Sequence, residues 1–192
     1  TSLVEILTAA DSLKAMLSDN FGKMGANSFC IRSNFSDVES GERRARILNR
    51  RNIRYSQAKS FAETYSVPSV ISISATAIGN ATIKYGSNKT NPNIRVTATD
   101  ENNLAFTGTS IAKGRNFSSQ DLESASFTCL IGSGVQTSLF KGEEPIGKII
   151  SVGGVRYEVI GTIASQGSTF GGGPDNQVWI PISNARGSFL SD

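Results

Sequence analysis

A chain of 192 residues can form one domain or two small ones and can bury about 70% of its unfolded surface, so neither a metal nor a disulfide is required as a staple. Its 38% hydrophobic and 18% charged residues leave a balance rich in Ser, Thr, Asn and 19 Gly, which fits a loop-rich globular fold with substantial sheet. The net charge of +3 comes without any nucleic-acid-binding motif, which sets aside that class of partner.

From the N-terminus, Leu3, Ile6, Leu7, Ala10, Leu13, Leu17, Phe21 and Met24 recur at intervals of three and four, the stripe of an amphipathic helix over 1–24 that Gly22 and Gly25 close. "NSFCIRS" (27–33) reads as a short strand and 37–51 as a polar, Arg-rich linker or helix. Arg43, Arg44, Arg46, Arg50, Arg51 and Arg54 lie in a stretch without Asp or Glu, a local +6 that leaves 13 basic against 16 acidic residues elsewhere. The plain reading of that stretch is a solvated face; the sharper one is a contact with lipid headgroups or an acidic partner.

Ser56 is placed to cap a short helix over 56–65 that Pro68 keeps from continuing. "VISISATA" (70–77) alternates apolar and small polar residues, and "ATIKY" (81–85) and "NIRVTAT" (93–99) follow, separated by a turn-forming 86–93. From Gly114 onward Ser118-x-x-Asp121 resembles a capping box. "FTCLIG" (127–132) is then a strand, and Ser133 a cap for a helix over 134–140. "KIISV" (148–152) and "VRYEVIGTI" (155–163) flank Gly153-Gly154, a two-residue hairpin signal. Residues 167–177 read as a loop, and "VWIPIS" (178–183) as a last strand broken by Pro181.

Gly142-Glu-Glu-Pro-Ile-Gly147-Lys148 has the glycine and lysine spacing of a phosphate-binding loop. Such a loop needs a strand before it and a helix after it. Here the order is inverted, Ile149 stands where a hydroxyl would hold magnesium, and Pro145 removes a backbone donor. The absence of histidine removes Ser-His-Asp and Cys-His catalysis. Glu143-Glu144, Asp100-Glu101 and Asp175 could supply a carboxylate mechanism, or weak calcium binding at "DENN" (100–103), but lie in expected turns without diagnostic spacing. Cys30 and Cys129 are too far apart for a C-x-x-C motif and sit in apolar, strand-like contexts. Buried free thiols are expected, with a disulfide as the alternative. No apolar run approaches the ~20 residues that span a bilayer, and the start at Thr1 without Met reads as a piece of a larger protein.

The ordered set "KGRNFSSQD", "TCLIGSGVQTSLF", "PIGKIISVGGVRYEVIGTI" and "VWIPISNA" between Gly114 and Pro181 resembles the periplasmic core domain of MacB-type ABC transporter permeases, the family that includes the lipoprotein-releasing permeases. "FGKMGANSFCIR" and "SQAKSFAETYSVPSV" agree more loosely. Lys141 lengthens the usual Phe-Gly junction, and Cys129 sits where aliphatics are usual. The resemblance implies an α+β, two-lobed periplasmic domain. A porter-like mixed α/β lobe would take 25–105 and 165–185, a smaller β-rich inserted lobe 106–164, and residues 1–24 would be a stalk helix extending a membrane helix.

It further implies a non-enzymatic domain with no cofactor or metal, on the periplasmic side of a bacterial inner membrane. Its implied partners are its own transmembrane helices and an ABC ATPase domain or subunit, in a homo- or heterodimer, with a periplasmic adaptor or lipoprotein as a further partner. Coupling of cytoplasmic ATP use to efflux or lipoprotein release is the expected role. Loops 86–93 and 168–176 are candidate partner contacts. The rivals are a lipid- or lipoprotein-binding module, with an apolar groove rimmed by the arginines of 43–54, and a carboxylate-type enzyme, with a pocket holding convergent acids.

Overall fold

The computed structural model describes residues 28–32, 53–166 and 173–190. The chain divides into two compact units, residues 1–69 with 192, and residues 70–191. The expected helix over 1–24, the linker at 37–51 and Arg43, Arg44, Arg46, Arg50 and Arg51 lie outside the described residues.

In the first unit, α1 spans Tyr55–Thr64. Ser56 is not its cap: Arg54 holds that place, and its backbone N–H donates to the Gln57 side chain at 3.0 Å. The ring of Tyr65 packs against Phe61 at 5.2 Å and Phe29 at 6.3 Å. Residues 28–32 are not in a strand, and Cys30 is exposed. Both depart from the expectation for "NSFCIRS"; apolar alternation alone does not make a strand, and among the described residues no strand pairs with 28–32.

The second unit is built on β1 (Ser74–Ala81), β2 (Ile83–Tyr85), β3 (Asn88–Lys89), β4 (Ile94–Thr99), β5 (Ile111–Gly114), β6 (Thr128–Ile131), β7 (Ile149–Val152), β8 (Val155–Ile163) and β9 (Gln177–Pro181). Its helices are α2 (Asn103–Phe106), α3 (Ser119–Glu123), α4 (Ser133–Phe140) and α5 (Ile182–Ser188). The strands form one sheet in the order β1-β4-β9-β6-β8-β7-β2-β3, with β5 on β8. Only Thr82 separates β1 from β2, so a single stretch of chain serves both ends of the path and the sheet curls back on itself. β4 with β9 and β6 with β8 are parallel pairs; the remaining pairs are antiparallel. Strands from 70–105 and from 106–164 are thus hydrogen-bonded in one sheet.

The residues explain the pattern. Ile83, Val152, Ile150, Tyr157, Val159, Cys129, Val178 and Val96 are buried on one face of successive strands. On the other face Leu130 and Trp179, directly cross-strand, join Leu104, Phe117, Ile160 and Ile163 in a second cluster. Fully burying each such side chain stabilises by about 1.5–3 kcal/mol. The longest described helix, α1, has no buried residue, whereas α4 adds Val135, Leu139 and Phe140 to the core of the second unit.

β1 begins later than expected because the preceding residues bond to side chains instead of a strand. The N–H of Ile73 donates to Asp100 and the carbonyl of Ile71 accepts from Asn102. Gly153 and Gly154 both have positive φ, 58° and 88°, as a twist-matched two-residue hairpin requires. Pro181 ends β9 and starts α5, whose Ile182, Asn184 and Ala185 are buried.

Candidate functional site

The glycine and lysine spacing at 142–148 lies along the edge of β8. After α4, the N–H of Gly147 donates to the Val159 carbonyl at 2.8 Å, and the N–H of Val159 donates to the Lys148 carbonyl at 2.9 Å. A turn closes from the Lys148 N–H to the Pro145 carbonyl at 3.1 Å. The amide a phosphate would need is therefore spent on the sheet, and the following residues enter β7. Lys148 pairs with Glu143 at 2.8 Å, which also accepts from the Tyr85 hydroxyl at 3.3 Å. That bond to Lys148 holds the Glu143 carboxyl below its ordinary value and raises the lysine. The geometry makes a solvated turn, as the inverted element order indicated.

A second node follows β5. Arg115 grips Asp121 with both terminal nitrogens, at 2.6 and 3.2 Å. Asp121 also accepts from the Ser118 N–H at 2.8 Å and hydroxyl at 2.7 Å, while Ser118 Oγ accepts from the Asp121 N–H at 3.3 Å. The expected capping box at α3 is present, with an arginine added to it. Arg115 beside the carboxylate is the main reason that Asp121 is held well below the usual carboxylate range. Asn116 donates to the Glu101 carbonyl at 2.8 Å, which ties this node to the loop after β4. An open depression of 420 Å³ is lined by Arg115, Ile146, Glu158 and the neighbouring backbone.

The carboxylates considered for catalysis are engaged in local structure. Asp100 accepts from the Ile73 N–H at 2.5 Å, the Ser72 hydroxyl at 2.7 Å and the Asn102 N–H at 3.1 Å; its burial raises its pKa. Glu101 accepts from Ser119, and Asp175 from Ser165 and the Gln166 N–H. Glu143 and Glu144 diverge to different lysines, Lys148 and Lys113. Asp175 and the Glu143-Glu144 pair thus serve separate loops, and the other adjacent acids, Asp100 and Glu101, are both committed to local hydrogen bonds.

Of the six arginines singled out from the sequence, Arg54 alone is described, exposed at the start of α1. Cys129 is buried as expected, and its burial in the sheet raises the thiol far above its ordinary value.

Sequence reasoning missed one docking contact. Gly132 and Gly134 open α4 against residues 174–176, where a Cβ on Gly132 would lie 2.2 Å from the Pro174 carbonyl oxygen and one on Gly134 2.6 Å from Asn176 Oδ1. "GSG" after a strand resembles a phosphate-binding turn, but the chain's own carbonyls fill the space, and Gly132 rather than Ser133 is the N-cap. The run Gly-Pro-Asp-Asn before β9 was the available signal.

The whole chain, residues 1–192, matches the family described as the MacB-like periplasmic core domain. The chain belongs to this family. Among its relatives, the macrolide export ATP-binding/permease protein MacB of Hahella chejuensis is 25% identical over 96% of the chain, and the corresponding protein of Vibrio parahaemolyticus 22% over 98%. The pyoverdine export ATP-binding/permease protein PvdT of Pseudomonas aeruginosa is 37% identical over 39% of the chain. The chain spans about a quarter of the MacB relatives, 27% of each, and 12% of PvdT. The mixed α/β fold of the MacB-like domain is shared with the periplasmic region of MacB from Actinobacillus actinomycetemcomitans. That likeness has a TM-score of 0.68, with 18% identity, 90% of this chain and 73% of that one covered. The extracellular domain of the transporter YknZ from Gram-positive bacteria matches with a TM-score of 0.57, 21% identity, and 70% and 65% coverage. Among the described residues, no helix of the MacB-like domain is long and apolar enough to cross a membrane.

Proposed function

We propose that this MacB-like domain is the periplasmic part of an inner-membrane ABC transporter permease and transmits cytoplasmic ATP binding and hydrolysis to the movement of substrate or partner proteins. The observation that carries the reading is the family match over residues 1–192. The named relatives are export ATP-binding/permease proteins, which favours efflux over lipoprotein release. A curled sheet with an apolar cluster packed on each side suits a domain that must move as a body, since packed interiors transmit displacement and do not absorb it. Glycine spacing spent on a turn is consistent with nucleotide chemistry residing elsewhere in the protein.

In this reading residues 1–24 form a stalk leading from a membrane helix. A porter-like lobe (25–105 and 165–185) and an inserted lobe (106–164) move in a homo- or heterodimer, whose two arrangements the ATPase domain or subunit favours differently. A periplasmic adaptor or a lipoprotein is the outer partner. Locking the stalks of two subunits together by a disulfide in the full-length transporter tests this. Loss of transport that returns on reduction supports the coupling role, whereas unchanged transport in the locked state refutes it.

A further inference from the structure

The pairings β3-β2-β7-β8 place Lys89 opposite Lys84, Lys84 opposite Ser151, and Ser151 opposite Arg156. Directly paired residues on antiparallel strands project to the same face, so one row across four strands carries three cations. The opposite face of this half of the sheet is occupied. α4 covers it, with the Phe140 ring on Tyr85 at 4.5 Å, Asn88 donating to the Leu139 carbonyl at 2.7 Å, and Ile83, Val152 and Tyr157 fully buried. The face with the cations is open: Lys84, Lys89 and Arg156 are exposed. Ile149, one pair further along the same face opposite Glu158, is 58% exposed.

Among the described residues the row lacks the compensation given to three other cations of this unit, as do Arg95 and Lys141, which stand apart from it. Lys113, Lys148 and Arg115 are each bound to a carboxylate, at 2.7, 2.8 and 2.6 Å. Among the described residues no carboxylate is within 4.0 Å of Lys84, Lys89 or Arg156. Like charges directly opposite on paired strands destabilise a sheet, so the Lys84-Lys89 pair works against the fold that holds it. Local rules broken without evident compensation are expected at functional or strained sites. We infer that this face is a docking surface for an acidic segment of a partner protein, with the exposed Ile149 receiving an apolar residue of that segment. Three cations beside a single isoleucine fall short of the clusters of about four to eight basic residues that hold a protein to anionic lipid. The inference does not depend on the transport reading.

The test uses fluorescence anisotropy of a fluorescein-labelled polyglutamate peptide titrated with the 192-residue chain. Because the stretch from Arg43 to Arg54 is itself cationic, the decisive quantity is the difference between variants. Saturable binding that weakens with added salt, and is at least about tenfold weaker in K84E/K89E/R156E but within about twofold in K113E, is the expected result. K89E alone is expected to weaken binding while leaving the thermal midpoint equal or higher, because it turns a repulsive cross-strand pair into an attractive one. A merely structural role for these residues would lower that midpoint. Equal binding by the triple variant, or phosphatidylglycerol vesicles taking the chain in a K84/K89/R156-dependent way while the peptide does not, would overturn the proposal.

Discussion

Tyr157 donates a hydrogen bond of 2.6 Å to Asn184 Oδ1, and Asn184 passes the connection on by donating to the Ala125 carbonyl at 2.9 Å. The bond joins β8 to α5 inside the fold and satisfies two polar side chains that burial would otherwise penalise. Removing one partner of such a pair strands the other. Asn184→Ala is therefore expected to cost about 2–3 kcal/mol, and Tyr157→Phe, which leaves an amide that can find other contacts, about 1 kcal/mol. Urea unfolding of the two variants measures the difference; equal costs would contradict the asymmetry.

Burial pushes the Tyr157 hydroxyl up to about 12. A phenol raised in the folded state contributes stability that is complete below about pH 10 and is lost as the pH rises towards 12. Wild type should lose stability over that window and Tyr157→Phe should lose less. Unfolding midpoints at pH 9 and 11.5 check this.

Asp121 behaves in the opposite sense. Arg115 and Ser118 hold it ionised well below the ordinary carboxylate value of about 4. Its contribution is present at neutral pH and lost as the pH falls below that value. Asp121→Asn is expected to cost about 1–3 kcal/mol at pH 7, with a gap from wild type that narrows by pH 3. A constant gap would mean that shape, not charge, is what the arginine reads.

Gly132 should tolerate no side chain. A Cβ 2.2 Å from a backbone carbonyl displaces residues 174–176 or strains β6, and Gly132→Ala is expected to cost about 3 kcal/mol. Gly79→Ala meets nothing within 4 Å and should change stability by less than about 0.5 kcal/mol. Thermal unfolding of the pair separates close approach from a general intolerance of glycine replacement.

The two thiols should react differently. Cys30 is exposed and Cys129 buried with a raised pKa, so a thiol reagent should modify Cys30 in the native chain and reach Cys129 only on unfolding. Mass spectrometry of the labelled peptides reads this directly.

Local signals carried much of this fold. The β7–β8 hairpin was legible because Gly153-Gly154 dictates both its turn and its register. The capping box at Ser118 was legible because its two members are three residues apart. Less visible were the contacts that depend on distant partners. Nothing near Ile71 or Ile73 shows that Asp100 and Asn102 will take their backbone groups and delay β1. Nothing near Gly132 shows that Pro174 will fill the space in front of it. α5 was missed because "ISNARGS" has weak helical propensity and is held by burial of Ile182 and Ala185. The arginine stretch was conspicuous in sequence, yet the cations placed in one row came from three different strands, where only the register brings them together.

The coupling claim is tested most directly by distances between two copies of the domain in the full-length transporter. Spin labels at Glu123→Cys, an exposed site on α3, in a background where Cys30 is serine, report the separation across the dimer. Two separations are expected, whose populations shift when a non-hydrolysable ATP analogue is added and shift back with ADP. A single distance distribution, unchanged by nucleotide while the ATPase still turns over, would contradict it.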